Sequence, residues 1–194
     1  MRALCLLGTC LAAAGAPAET FQVEAGKPNR VRFESKAPLE TFDGKTDRIR
    51  GHITLVPAAL ADSIDVRLEV DLTSLDTGIE VRNKHMRENH LDTKDHPKAV
   101  FTGGTLSGIK QRNLTAGPAT FDIEGTMQLH GVSRRLRAAC TLTFDATTQR
   151  LQARCTFKVA LADYQIKRPS FLVMKLDEVQ RVELDLVTQP AAKP

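Results

Sequence analysis

Ile64, Val66, Leu68, Val70 and Leu72 alternate with Asp65, Arg67, Glu69 and Asp71. In an extended strand successive side chains point to opposite faces, so this stretch needs one dry face and one wet face. A sheet of such strands has to bury its dry side against a second sheet or against its own far wall. The wet side carries charges where a membrane-spanning barrel needs an outward apolar band, so that class is excluded.

The same period recurs along the chain. Phe21 to Ala25 reads as a first strand, followed by a turn at Gly26-Lys27-Pro28-Asn29 and by Val31 and Phe33 on one face. Phe42-Asp43-Gly44 and Gly51 flank a polar strand that runs on to Ile53 and Leu55, with glycines where a strand must bend sharply. Ala99 to Thr102 begins another strand, interrupted at Gly103-Gly104. Ala119 to His130 places Phe121, Ile123, Met127 and Leu129 on one face, with Gly125 in the same row. Leu136, Ala138, Cys140, Leu142 and Phe144 form the next row; Leu151, Ala153, Cys155, Phe157, Val159 and Leu161 the one after; Val182, Leu184 and Leu186 the last. The expectation is an all-β, antiparallel barrel or sandwich of about eight strands, since no βαβ alternation is present. Centring a hairpin on Thr147-Thr148 sets Cys140 opposite Cys155, Leu142 opposite Ala153 and Phe144 opposite Leu151, which keeps every apolar residue on one face.

The first eighteen residues read as an address rather than as fold. Arg2 supplies a positive start, Ala3 to Ala14 an apolar run, and Ala16-Pro17-Ala18 a small-x-small cleavage site. Spanning a bilayer takes about 20 apolar residues, so the run is too short for an anchor. A lipoprotein reading founders on Thr9, a poor fit for the small residue expected before a lipid-modified Cys10. The expectation is therefore a signal peptide over 1–18, one domain over 19–194, and a periplasmic or secreted protein in which a Cys140–Cys155 disulfide is permitted; the rival is two buried thiols. Removing Arg2 leaves 26 Lys+Arg against 23 Asp+Glu. The charges are interspersed, which argues against nucleic acid and allows brief contact with an anionic membrane surface.

Only between Ser74 and Phe101 does the apolar spacing shift to three or four, with Ile79, Val81, Met86 and Leu91 among Arg82, Lys84, Arg87 and Glu88. This predicts one short amphipathic helix over 79–91, capped by Asp76 or Thr77, with the segment closed by Pro97. The apolar positions would cover part of the barrel and the basic ones face water. Met86 would either line a ligand slot or anchor the helix to the sheet.

Ser74-Leu75 with Thr77, then Arg82-Asn83-Lys84-His85-Met86, Leu91-Asp92, His96-Pro97 and Phe101 resemble the signature of the YceI-like proteins. Phe42-x-Gly44 with the later Gly51, and the strand ending in His130-Gly131, resemble further landmarks of that family. Asn83 stands where Asp is expected, and Gln165 where an aromatic-Gly-Ile turn is common. The resemblance implies a periplasmic, lipocalin-like barrel that binds polyisoprenoids and related amphiphiles.

No Gly-x-Ser-x-Gly elbow, His-Glu-x-x-His pair or phosphate-cradling loop is present, so no catalytic residues are assigned and the chain is not read as an enzyme. His85, His90 and His96 lie five and six residues apart, spacings that do not put three ligands on one helical face, and no metal or other cofactor is expected. The inward rows nominate Phe33, Ile53, Leu68, Phe101, Ile123, Met127, Leu142, Phe157 and Leu184 as lipid contacts, with Met86 from the helix and Gly125 as a gap beside the chain. The resemblance supplies the occupant, a polyisoprenoid or isoprenoid quinone, and hence a carrier or reservoir. The alternative is a filled barrel acting as a protein-interaction module of the cell envelope.

Overall fold

The computed structural model describes residues 16–36, 41–171 and 174–190. Residues 1–15 of the expected signal segment, with Cys5 and Cys10, lie outside them. Ten strands form the main sheet: β1 (Glu19–Val23), β2 (Arg30–Lys36), β3 (Thr41–Thr46), β4 (Ile49–Leu55), β5 (Ser63–Asp71), β6 (Lys98–Ser107), β7 (Ala119–Leu129), β8 (Val132–Asp145), β9 (Arg150–Ala160) and β12 (Val179–Val187). A two-residue pair, β10 (Ser170–Phe171) and β11 (Met174–Lys175), stands apart from it.

The spatial order is β1-β4-β5-β6-β7-β8-β9-β12-β2-β3 and its ladders are antiparallel. The expected count of about eight is thus corrected to ten. The polar strand expected between Phe42-Asp43-Gly44 and Leu55 breaks at Asp47-Arg48, and the two parts take different neighbours: β3 pairs with β2, and β4 with β1 and β5. The sheet curls but stays open, with β1 and β3 as its edges. Backbone links tie down those edges: Gly26 N–H to Asp47 O at 2.8 Å, Gln189 N–H to Gln22 O at 2.7 Å, and a reciprocal bridge between Lys45 and Asp76 with both bonds at 2.9 Å.

Hairpin chemistry explains the best-defined register. Asp145 Oδ1 accepts from the backbone N–H groups of Thr147 and Thr148, and the turn sets Asp145 opposite Arg150, Leu142 opposite Ala153 and Cys140 opposite Cys155. The two sulfurs are bonded. Between β7 and β8, His130 and Gly131 both take positive φ (51° and 74°), the conformation a two-residue I′ turn demands. At Gly103-Gly104 the strand does not stop, as its glycines suggested; β6 runs through a register shift before Thr105.

Outside, the alternate positions pair charges. Glu69 meets Arg67 and Lys98 at 2.8 and 3.1 Å, and Asp185 meets Arg30 and Arg154, both at 2.7 Å. Such exposed pairs add little stability each. Inside, one end of the curled sheet is packed solid. Phe21, Ala119, Leu151 and Leu114 are at most 1% exposed, and Phe21 meets Phe144 edge to face at 6.1 Å. The opposite end lies under the helical segment, α1 (Glu80–His85) and a π-type turn over Met86–His90.

That segment departs from its expected capping. Ile79 is the N-cap residue and makes no side-chain cap hydrogen bond. Asp76 Oδ1 instead accepts from Gly78 N–H and from Asn83 Nδ2, each at 2.8 Å, while Asn83 Oδ1 accepts from Thr77 N–H and Thr77 Oγ1 at 2.8 and 2.7 Å. Asn83, 4% exposed, is the hub that fastens the helix to the preceding loop.

Candidate functional site: an apolar cavity beneath the helix

The curled sheet encloses a cavity of about 920 Å³, open toward α1 and stopped at the packed end. Its wall is what period-two alternation leaves on the inside of β2, β4 to β9 and β12. Of the residues nominated from sequence, Phe33, Ile53, Leu68, Phe101, Ile123, Met127, Leu142, Phe157 and Leu184 line it, and Met86 reaches it from the helical segment. Cys140 and Cys155 line it as well, so the disulfide lies in the wall.

Gly125 lies outside the lining, and the reason is steric. A Cβ on Gly125 would fall 2.5 Å from Phe101 Cζ and 2.5 Å from Thr102 O. The room left by its missing side chain is filled by the Phe101 ring rather than by cavity. The same device operates between β2 and β3, where Phe33 faces Gly44 and a Cβ there would come within 2.2 Å of Phe33 Cε1. Phe-x-Gly at residues 42–44 is therefore readable as a seat for an aromatic ring across the ladder.

The mouth was not legible in the sequence. Ile79 and Val81, expected to cover the sheet, are 50% and 68% exposed, and both border the cavity. Arg82, expected to face water, turns to the cavity instead: its guanidinium lies 4.0 Å from the centroid of the Phe42 ring and donates to Thr77 Oγ1 and Thr77 O, both at 2.9 Å. Met86 and Leu91 face inward and Lys84 outward as expected, but at the first turn the Asn83 hub sets Arg82 inward and leaves Ile79 and Val81 at the rim. His85 and His90 also border the cavity. His90 Nδ1 donates to Lys167 O at 3.0 Å, and burial holds the imidazole below its ordinary value. Polar residues that sequence reasoning passed over, Ser35 and Gln180, lie in the wall at this end; each continues an apolar row by one step, after Val31-x-Phe33 and before Val182-x-Leu184.

Among the described residues no group of three His, Cys, Asp or Glu is placed to hold a metal ion. His96 and His130 lie edge to face, with ring centroids 5.2 Å apart. His130 Nδ1 donates to Tyr164 O, a turn-fastening contact.

The sequence profile of the YceI-like domain matches residues 22–188. The chain belongs to the YceI-like family. Among curated proteins none matches it in sequence. Among solved structures, this YceI-like chain is similar to a polyisoprenoid-binding domain from Saccharophagus degradans implicated in plant cell wall breakdown, at TM-score 0.66 and 19% identity, over 88% of this chain and 98% of that one. It is similar to BcnA of Burkholderia cenocepacia at TM-score 0.65 and 16% identity, covering 82% and 95%. A Campylobacter jejuni YceI protein follows at 0.59 and 13%, covering 78% and 85%. At these identities the likeness is one of fold. Within it, Gln165, which replaces the family's expected glycine, takes φ 57° and ψ 23°, the left-handed conformation glycine adopts at no cost.

Proposed function

We propose that this YceI-like chain is a periplasmic or secreted carrier, or reservoir, that holds one long apolar amphiphile of the polyisoprenoid or isoprenoid-quinone type in the cavity beneath α1. The observation that carries the reading is the cavity itself. At about 920 Å³, walled by Val, Ile, Leu, Met and Phe side chains, it stands at the upper end of the usual range for small-molecule sites. The Saccharophagus degradans domain, which binds a polyisoprenoid, has the same fold over nearly its whole length. The cavity also supports this reading over a filled barrel that only binds proteins.

The energetics suit transport. Each methylene moved from water into the cavity gains about 0.8 kcal/mol, but a bilayer offers nearly the same gain. Exchange with a membrane is then close to balanced, so a chain can be taken up and released. The exposed Ile79 and Val81 at the mouth, with the exposed Lys84 one turn on, would form the surface for brief contact with an anionic bilayer. The role proposed for the cavity is binding, with orientation left to the few polar side chains in its wall.

Native mass spectrometry of the mature protein, with extraction of anything retained, tests the reading. One long-chain amphiphile per chain is the expected result. A delipidated protein that takes up no chain from vesicles, and instead captures a protein partner, would replace this reading with the interaction module.

A further inference from the structure

Ser35 is 2% exposed, lines the cavity, and carries the single buried side-chain oxygen or nitrogen without a hydrogen-bond partner among the described residues. A hydroxyl withdrawn from water and given no partner works against the fold, so an orphan of this kind calls for an explanation. Its surroundings supply one. The β2–β3 ladder places Phe42 opposite Ser35 on one side. On the other, the β12–β2 ladder pairs Val182 with Phe33 and Arg181 with Glu34, and one step further along the strands Gln180 comes level with Ser35. Gln180 is 8% exposed and lines the cavity; its Nε2 donates to Asp177 O at 2.5 Å, which leaves the carboxamide oxygen as an acceptor.

A hydroxyl that can donate or accept and an amide oxygen that can accept thus stand side by side in a wall otherwise made largely of hydrocarbon. They lie at the α1 end, next to Phe42 with Arg82 over its ring, whereas at the packed end the buried Thr188 hydroxyl already has a partner, accepting from Leu151 N–H at 2.9 Å. We propose that Ser35, with Gln180 beside it, is the polar anchor for the head of the bound chain, and that it recognises a neutral hydroxyl, which can accept from Ser35 Oγ and donate to Gln180 Oε1. The tail then runs from the mouth toward Phe21. One hydroxyl and one amide oxygen match a single neutral hydroxyl, whereas several charges would have to leave water at greater cost. The inference rests on the carrier reading above and deepens it by naming the head group.

The test uses the delipidated mature protein and two labelled probes with the same branched hydrocarbon skeleton, phytol and phytane, which differ in one hydroxyl. Ser35→Ala should weaken phytol by about 2- to 12-fold, the range of one net hydrogen bond, and leave phytane unchanged. Ser35→Thr, which keeps the hydroxyl, should restore phytol. The melting temperature of Ser35→Ala should be no lower than that of the parent, because the hydroxyl removed has no partner to lose. Equal effects on both probes, or none on either, would overturn the anchor while leaving the carrier reading intact, and would assign the hydroxyl to an ordered water. A clear loss of stability in Ser35→Ala would overturn it too, by making Ser35 structural. A parent protein that binds neither probe would sink the carrier reading itself, and the anchor with it.

Discussion

Replacing Gly125 with alanine should damage the cavity from outside its lining. The added Cβ would sit 2.5 Å from Phe101 Cζ, 2.8 Å from Phe101 Cε2 and 2.5 Å from Thr102 O. The carbonyl is held within the paired backbone of β6, so it yields little. The ring can swing, and the direction open to it is the cavity that it already borders. Overpacking of this kind costs about 1–3 kcal/mol, so a loss near 2 kcal/mol, or about 4–8 °C in melting temperature for a domain of this size, is expected. A ring displaced into the cavity takes the room of one or two methylenes. At about 0.8 kcal/mol each, that weakens a long chain by roughly 4- to 15-fold. Urea denaturation of the parent, Gly125→Ala, Phe101→Leu and the double variant separates the contributions, with phytane binding measured on the same four proteins. In the Phe101→Leu background the cost of alanine should fall by about 1 kcal/mol, the remainder being the contact with Thr102 O. If the two substitutions instead add within about 0.5 kcal/mol, Gly125 does not make room for the ring and the reasoning is wrong.

Replacing Cys140 and Cys155 together by alanine opens a loop with a sequence separation of 15 and should cost about 3 kcal/mol, lowering the melting temperature by roughly 6–12 °C. A shift under about 2 °C would mean that the unfolded chain keeps the β8–β9 hairpin without its bridge. Asn83→Asp should destabilise at pH 7, because the N–H donated to Asp76 Oδ1 becomes a second carboxylate 2.8 Å away. The deficit should narrow as pH falls below about 5 and one of the pair takes up a proton; an Asn83→Asp protein as stable as the parent at pH 7 would refute the hub. In the parent, Gly78 N–H and then Asn83 hold the Asp76 carboxyl below its ordinary value. Its contribution is therefore present above the ordinary Asp value of about 3.9 and is lost as pH falls through the lowered one, which denaturation between pH 5 and 2 will show. Ile79→Ser with Val81→Ser, at side chains 50% and 68% exposed, should leave folding within about 0.5 kcal/mol and weaken attachment to phosphatidylglycerol vesicles by about 10-fold in flotation assays. Unchanged attachment would move membrane contact elsewhere on the surface.

Much of the architecture is local in origin, and so could be read from the chain alone. Alternation in Ile64 to Leu72 and in Leu151 to Leu161 determined which side chains face inward, since a strand has only two faces. Asp145 and the Thr147-Thr148 turn determined the β8–β9 register, and with it the meeting of Cys140 and Cys155. Nine lining residues nominated from the rows stand in the cavity wall for that reason, and Met86 joins them from the helical segment. Other features depend on neighbours distant in sequence. The break at Asp47-Arg48 exists because two halves of one run pair with different strands, which no local pattern records. Gly125 was read as open space, yet the gap belongs to Phe101 on the adjoining strand. The helix shows the limit most clearly: a period near 3.6 specifies that two faces exist, but their orientation was decided by Asn83, buried between Thr77 and Asp76. That rotation turns Arg82 inward over Phe42 and leaves Ile79 and Val81 at the rim. Local periodicity determined the wall of the cavity, and tertiary packing decided its mouth, because a strand's two faces follow from its own geometry whereas a helix's rotation follows from what holds it.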